Sequence, residues 1–296
     1  VLLQNDIISY KLSDAVKVIP FSDTTFPAKT VTPGFSEKLA LKFCKKLTPA
    51  RFDVSDEFVY INNLYIKKLS HFFQEQPDIK NSTVISFMTI PNICASVLKP
   101  KFGFKLLLAE FTSPHFEFPA DAPENKLKKK YYKNANGFIF QTDEQKSFYS
   151  FLPSVKMQVI PNPIERIEIE PYSESNRKKE IVNYCKHVKA KNLPLLIKAF
   201  ARFSTEYPEY SLVIYGDGPE KNATEKCIEE CGITEKVFLK PYAANVLSLV
   251  RESAMFVSSS DREGISNSML EAMAIGLPVI CTDCPAGGPR MFIKPY

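Results

Sequence analysis

Two glutamates near the end of the chain, Glu263 and Glu271, enclose seven residues in the run Glu263-Gly264-Ile265-Ser266-Asn267-Ser268-Met269-Leu270-Glu271. Carboxylates at such a spacing can accept hydrogen bonds from two separate parts of one ligand rich in hydroxyl groups. Apolar strand formers, Ala254-Met255-Phe256-Val257, come just before, and a helical pattern begins near Asn267. The unit therefore reads as buried strand, polar loop, helix. In a parallel α/β sheet such a loop lies at the carboxyl end of a strand, where ligands bind. The helix start adds unpaired N–H groups and a positive dipole end suited to an anion. Glu271 falls one turn into that helix and Glu263 before it, so the two reach different parts of the ligand.

Cations with a matching spacing occur upstream. Lys186 and Lys191 follow the strand Ile181-Val182-Asn183-Tyr184-Cys185, in Lys186-His187-Val188-Lys189-Ala190-Lys191-Asn192. Two lysines at the end of a strand can hold an anion, although the same spacing more often marks a solvated loop. Gly216 and Gly218 close another strand, Ser211 to Tyr215, and permit either close backbone approach to a ligand or a plain turn into a helix. Cys281 and Cys284 have metal-ligand spacing, but no second such pair completes a zinc site.

The stretch from Glu263 to Ile280 resembles the retaining glycosyltransferases of family four, whose pattern is E-G-[FI]-x-N-x-x-x-E-A-M-A-x-G-x-P-V-I. The likeness continues through Asp283-Cys284-Pro285-Ala286-Gly287-Gly288-Pro289-Arg290, as in the branch that builds capsules, lipopolysaccharides and other surface glycans. The resemblance implies the GT-B fold: α/β, with two Rossmann-like domains whose parallel sheets face each other across a cleft. It implies a hexosyl- or N-acetylhexosaminyl-transferase that moves a sugar from a nucleotide donor, most often a UDP-sugar, to a lipid-linked saccharide with retention of configuration. The nucleotide-sugar is a co-substrate, and no cofactor or metal is required.

By the same resemblance Glu263 approaches the sugar hydroxyls, the N–H groups of Gly264, Ile265 and Ser266 serve sugar and phosphate at the helix opened by Asn267, and Glu271 accepts from the ribose. Lys186 and Lys191 take the diphosphate. Here the chain departs from the family, with Cys185 for the usual glycine and Lys186 for the usual arginine; a lysine keeps the charge but loses the bidentate fork. Gly216 borders the same site. On the acceptor side the family's polar loop falls at Ala109–His115, which offers Glu110 and a displaced His115 as catalytic candidates. Two other readings share parts of this pattern: a non-catalytic nucleotide-sugar-binding module and a GT-B sugar-nucleotide epimerase.

The 296 residues suffice for two domains, and 45% hydrophobic residues for their cores. Strands alternate with helical patterns throughout, as in parallel sheets covered on both faces. The first domain spans 1–162 and the second 163–296, with the break at Pro161-Asn162-Pro163. Set against the family pattern, the first βα unit and the end of the second domain are absent, which implies a fragment of a longer enzyme.

Charge is uneven. Residues 1–162 carry 21 Lys/Arg against 15 Asp/Glu, a net of +6, and residues 163–296 a net of −1. Lys126, Lys128, Lys129, Lys130 and Lys133 form the densest basic patch. No nucleic-acid motif accompanies it. It suits either an anionic membrane surface or a solvated helix face. No apolar run approaches a membrane span, no signal-peptide pattern opens the sequence, and seven irregularly spaced cysteines read as reduced thiols. The expectation is a cytoplasmic protein, peripheral at the inner face of the membrane.

Overall fold

The computed structural model describes Leu2–Leu3, Ile19–Pro20 and residues 66–111, 123–168, 172 and 177–294. The chain divides into two compact units, Val1–Tyr60 and Ile61–Tyr296. In the first unit, strands β1 (Leu2–Leu3) and β2 (Ile19–Pro20) pair in parallel. The second unit holds two parallel sheets.

The first of these sheets has four strands in chain order: β3 (Thr83–Phe87), β4 (Lys105–Glu110), β5 (Gly137–Phe140) and β6 (Met157–Val159). Helix α1 (66–74) precedes it, and α2 (Thr89–Phe102), α3 (Pro123–Tyr131) and α4 (Asp143–Phe148) provide the crossovers. The run Leu106-Leu107-Leu108-Ala109 is apolar without alternation, as a strand covered on both faces demands. Leu106, Leu108, Phe138 and Phe140 are buried with Ile93, Ala95 and Leu98 of α2.

Helix α2 runs unbroken from Thr89 to Phe102 because its two prolines are accommodated near its ends. Pro91 lies in the first turn, where its missing N–H costs nothing. Pro100, near the other end, cannot donate to the Ser96 carbonyl, and the Asn134 side chain donates to that oxygen instead at 2.9 Å. Gly103, at φ 76°, then closes the helix and donates its N–H to the Lys99 carbonyl. Helix α4 is capped by Thr142: the threonine has the extended backbone a cap needs, and its Oγ1 accepts from the Gln145 N–H at 3.0 Å.

The second sheet runs β11-β10-β7-β8-β9, all parallel, from β7 (Lys178–Tyr184), β8 (Ser211–Tyr215), β9 (Val237–Lys240), β10 (Ser253–Ser258) and β11 (Val279–Cys281). Helices α5 (Leu193–Glu206), α6 (Lys221–Glu230), α7 (Val246–Val250), α8 (Asn267–Ala274) and α9 (Gly288–Phe292) complete it. Alternation along the strands feeds two cores. Ile181, Leu212 and Ile214 pack on one face with Leu196, Ile197 and Phe200 of α5 and Ile228 of α6. Val182, Val213 and Phe256 pack on the other with Val250 of α7 and Met269 and Ala272 of α8. Strand β7 begins at Lys178, earlier than its apolar residues indicate. Its charged first residues lie at the open end of the sheet, where the Lys178 N–H donates to the Glu252 carbonyl at 2.8 Å.

Between the sheets, residues 160–168 run without regular structure. Among the described residues, no helix is long and apolar enough to cross a membrane.

Candidate functional site

All five strands of the second sheet point the same way, so their carboxyl ends share one edge. The chain moves outward from β7 through β8 and β9 on one side, and through β10 and β11 on the other. In open parallel sheets this reversal leaves a crevice outside the carboxyl ends of the two central strands. Here those strands are β7 and β10. The loop after β7 carries Lys186 and Lys191, and the loop after β10 carries Glu263, Gly264, Ile265 and Ser266.

Hydrogen bonds fasten the two loops together. Ser259 Oγ donates to the Lys191 carbonyl at 2.9 Å, and the Asp261 N–H donates to the Ala190 carbonyl at 2.9 Å. Asn192 stands in the left-handed region at φ 43°, caps α5 through the Leu195 N–H, and donates from Nδ2 to Asp261 Oδ1 at 2.6 Å. That framework brings Lys191 Nζ onto Glu263 Oε1 in a partly buried ion pair across the crevice. Ser260 Oγ donates to the same oxygen at 2.8 Å. Two residues 72 positions apart thus meet, one cationic and one anionic, at the place where a charged, hydroxyl-rich ligand would lie.

Lys186 is exposed at the mouth of the same crevice. Gly216 is buried at the end of β8, at φ 138°, and a Cβ there would overlap the Cys185 carbonyl oxygen. Its use is therefore close packing of two loops as well as backbone freedom. His187 lies beneath this loop, fully buried, with neither ring nitrogen hydrogen-bonded. Burial pushes its pKa down, because a charged ring would lose its hydration there.

Helix α8 starts at Asn267, with Ser266 as its cap: Ser266 Oγ accepts from the Met269 N–H at 3.3 Å. Glu271 is half-buried one turn later, and among the described residues no group donates to its carboxylate. Burial first, and then the nearby Glu165 carboxylate, hold its pKa above the ordinary value. A half-buried carboxylate of this kind, open to solvent on one side, can accept from a ligand's hydroxyl groups.

The Glu263–Asn267 loop also meets the first sheet. A Cβ on Gly264 would overlap Gln141 Oε1, and one on Gly288 would overlap the Gly264 carbonyl, so both glycines are set by space. The Ile265 N–H donates to Gln141 Oε1 at 3.4 Å. Glu144 of α4 accepts from the Ala286 N–H at 3.0 Å and from Arg290 at 3.3 Å, while Thr142 Oγ1 donates to the Ala286 carbonyl. Spacing gave no sign of Gln141, Thr142 and Glu144 in this role, because their partners lie more than 120 residues away in sequence. The Ala286-Gly287-Gly288 run was visible, but its use was not.

Glu110 is buried at the end of β4, and its carboxylate accepts from Thr89 at 3.4 Å, from Asn92 at 3.1 Å and from the Tyr132 hydroxyl. It ties α2 and the segment after α3 to the sheet. His115 lies outside the described residues. Met88, between β3 and α2, holds φ 73° and ψ 155°, a conformation normally left to glycine. Lys128 departs from a surface reading of the basic patch: it is 1% exposed and donates to the Tyr149 hydroxyl at 3.0 Å. Lys126, Lys129, Lys130 and Lys133 are exposed. Cys281 and Cys284 sit beside Glu263; burial raises both pKa values, that of Cys281 to about 12, as expected of unreactive thiols. Among the described residues no cluster of three His, Cys, Asp or Glu side chains could hold a metal ion.

A GT-B architecture accounts for the two parallel-sheet α/β regions. Residues 165–296 match the family "Glycosyl transferases group 1". An uncharacterized glycosyltransferase of Methanocaldococcus jannaschii, MJ1059, is 32% identical over 180 residues, covering 56% of this chain and 44% of its own length. The N-acetylgalactosamine-N,N'-diacetylbacillosaminyl-diphospho-undecaprenol 4-alpha-N-acetylgalactosaminyltransferase of Campylobacter jejuni is 28% identical, covering 98% of this chain and 74% of its own. The crystal structure of a mutant S. aureus TarM in complex with fondaparinux, alpha-GlcNAc-glycerol and UDP superposes with a TM-score of 0.62 at 24% identity. That match covers 77% of this chain and 46% of the TarM chain, and it speaks to fold alone. The chain thus spans under half the length of two of these three.

Proposed function

We propose that this chain belongs to a retaining glycosyltransferase. It transfers a sugar, hexosyl or N-acetylhexosaminyl, from a UDP-sugar to a lipid-linked saccharide in surface-glycan synthesis. The observation that carries the reading is the meeting of Lys191 and Glu263 across the β7/β10 crevice, in the loop that leads into α8, which carries Glu271 one turn from its start. Breaking the donor bond builds negative charge on the departing diphosphate, and fixed cations and N–H groups stabilise that charge most effectively in a partly dry site. Lys186 and Lys191 supply the cations. Gly264, Ser266 and Asn267 open α8 and supply the N–H groups, whereas the Ile265 N–H, expected to serve the ligand, is taken by Gln141 Oε1. Glu263 takes the sugar hydroxyls once a phosphate competes for Lys191, and Glu271 takes the ribose.

On this reading no metal is needed at the diphosphate, and the leaving group itself accepts the acceptor proton on the same face. The UDP in the TarM complex and the diphospho-undecaprenol acceptor in the Campylobacter enzyme's name support the donor and acceptor classes. The exposed lysines Lys126, Lys129, Lys130 and Lys133 would hold the protein to the anionic inner leaflet where such acceptors lie.

Incubation with UDP-sugars and an undecaprenyl-diphosphate-linked saccharide, with and without EDTA, tests the proposal. It predicts free UDP together with a lengthened glycan in both conditions. UDP-sugar epimerised without transfer, or bound without turnover, would replace it with the epimerase or the binding-module reading.

A further inference from the structure

Gln141 lies at the carboxyl end of β5, is 3% exposed, and has both heavy atoms of its side-chain amide head, oxygen and nitrogen, hydrogen-bonded. Its backbone N–H donates to Gln145 Oε1 at 2.8 Å, and its Oε1 accepts from the Ile265 N–H at 3.4 Å. Its Nε2 donates to Asn162 Oδ1 at 2.6 Å, and Asn162 Nδ2 donates to Asn267 Oδ1 at 3.1 Å. One polar chain therefore runs from the first sheet, through the segment between the sheets, to the first residue of α8. Its two ends grip the loop that carries Glu263 from both sides. The chain is buried at Gln141 and reaches the surface at Asn267, and it is directional: each amide donates one way and accepts the other, so the loop is held in one orientation. The Thr142 and Glu144 contacts with Ala286 lie beside it and press the same face of the second sheet's loops toward α4.

We propose that Gln141 is a positioning residue: it fixes the Glu263–Asn267 loop against the first sheet, with Asn162 as the relay. Gln141 belongs to the acceptor-side sheet and the loop to the donor side, so this hold sets how donor and acceptor face each other. It does not set how tightly the nucleotide binds. The kinetic half of the idea rests on the transferase reading; the structural half does not.

The test uses the full chain with Gln141→Met, which keeps the shape of the side chain and removes both hydrogen bonds, and with Asn162→Leu, which cuts the relay. Hydrogen exchange is followed over residues 261–270 and over the β7–β10 strands. UDP affinity is measured by calorimetry and transfer by steady-state kinetics. Both variants should exchange at least tenfold faster over 261–270 with the strands unchanged. Transfer should lose at least tenfold in kcat while the UDP Kd stays within twofold. Unchanged exchange over 261–270 overturns the proposal. So does an increase spread over the whole sheet in both variants, or a loss of UDP affinity that matches the loss of kcat. If the parent transfers no sugar, the function reading fails, and the exchange measurement alone decides the role of Gln141.

Discussion

At the scale of single residues, Glu271 is the group with the sharpest consequence. It is half-buried, has no donor among the described residues, and its pKa is raised by burial and then by Glu165. A ribose diol donates best to the charged carboxylate, and such charge-assisted bonds contribute roughly 1.5–3 kcal/mol. Glu271→Gln should therefore weaken UDP binding about tenfold or more. The pH dependence has a definite sign. Because the pKa is raised, Glu271 gains its proton at a higher pH than an ordinary glutamate, so UDP affinity falls as pH drops through that raised value. The Gln variant should lose this dependence, and calorimetry across the acidic range reads both effects. Legibility at this scale depended on spacing. Lys191, Glu263 and Glu271 stand in short runs whose order carries a signal. Gln141 and Asn162 are single polar residues with distant partners, and nothing in their neighbourhoods marks them. Lys128 misleads in the opposite sense: a run of lysines reads as surface, yet Asn125, Lys128 and Tyr132 share the inward face of a helical turn.

At the scale of elements, apolar periodicity located nearly every strand and helix of the two sheets, because each strand feeds one or two dry faces. Boundaries shifted where hydrogen bonding and burial part company. Strand β7 extends over charged residues at the sheet's open end, and α2 extends over Pro100 because Asn134 satisfies the carbonyl that proline leaves. Caps were also hidden, since Thr142 and Asp143 are both good caps and only backbone conformation separates them. The packing makes a quantitative claim. Phe200 is 2% exposed in the core between α5 and the second sheet, so Phe200→Ala should destabilise the protein by about 3–5 kcal/mol. Ile280 in edge strand β11 is 56% exposed, and Ile280→Ala should change stability by less than about 0.5 kcal/mol. Denaturant midpoints compare the two directly.

At the scale of the whole molecule, the sequence conveyed two parallel α/β regions and the crevice on the second, since strand, loop and helix recur in a fixed rhythm. How the loops of one region fasten to the other was not legible, because those contacts join residues far apart. The net charge of the first 162 residues makes a further prediction. Lys129, Lys130 and Lys133 are exposed, and each lysine near an anionic leaflet contributes about 1 kcal/mol, decaying over a Debye length of about 8 Å. Changing these three to glutamate should release the protein from phosphatidylserine vesicles in a sedimentation assay, as should high salt on the parent. Lys128 must be left intact, because it is buried against Tyr149 and its loss would disturb α3 instead. A triple variant that sediments like the parent would assign these lysines to solvent.

The central claim is that the crevice between β7 and β10 holds a nucleoside diphosphate through Lys186 and Lys191. Titration calorimetry of UDP and of uridine against the parent, Lys186→Ala and Lys191→Ala tests it most directly. The account predicts that the parent binds UDP more tightly than uridine, and that each substitution weakens UDP at least tenfold while changing uridine less than twofold. No saturable UDP binding by the parent, or equal losses for UDP and uridine, would contradict it.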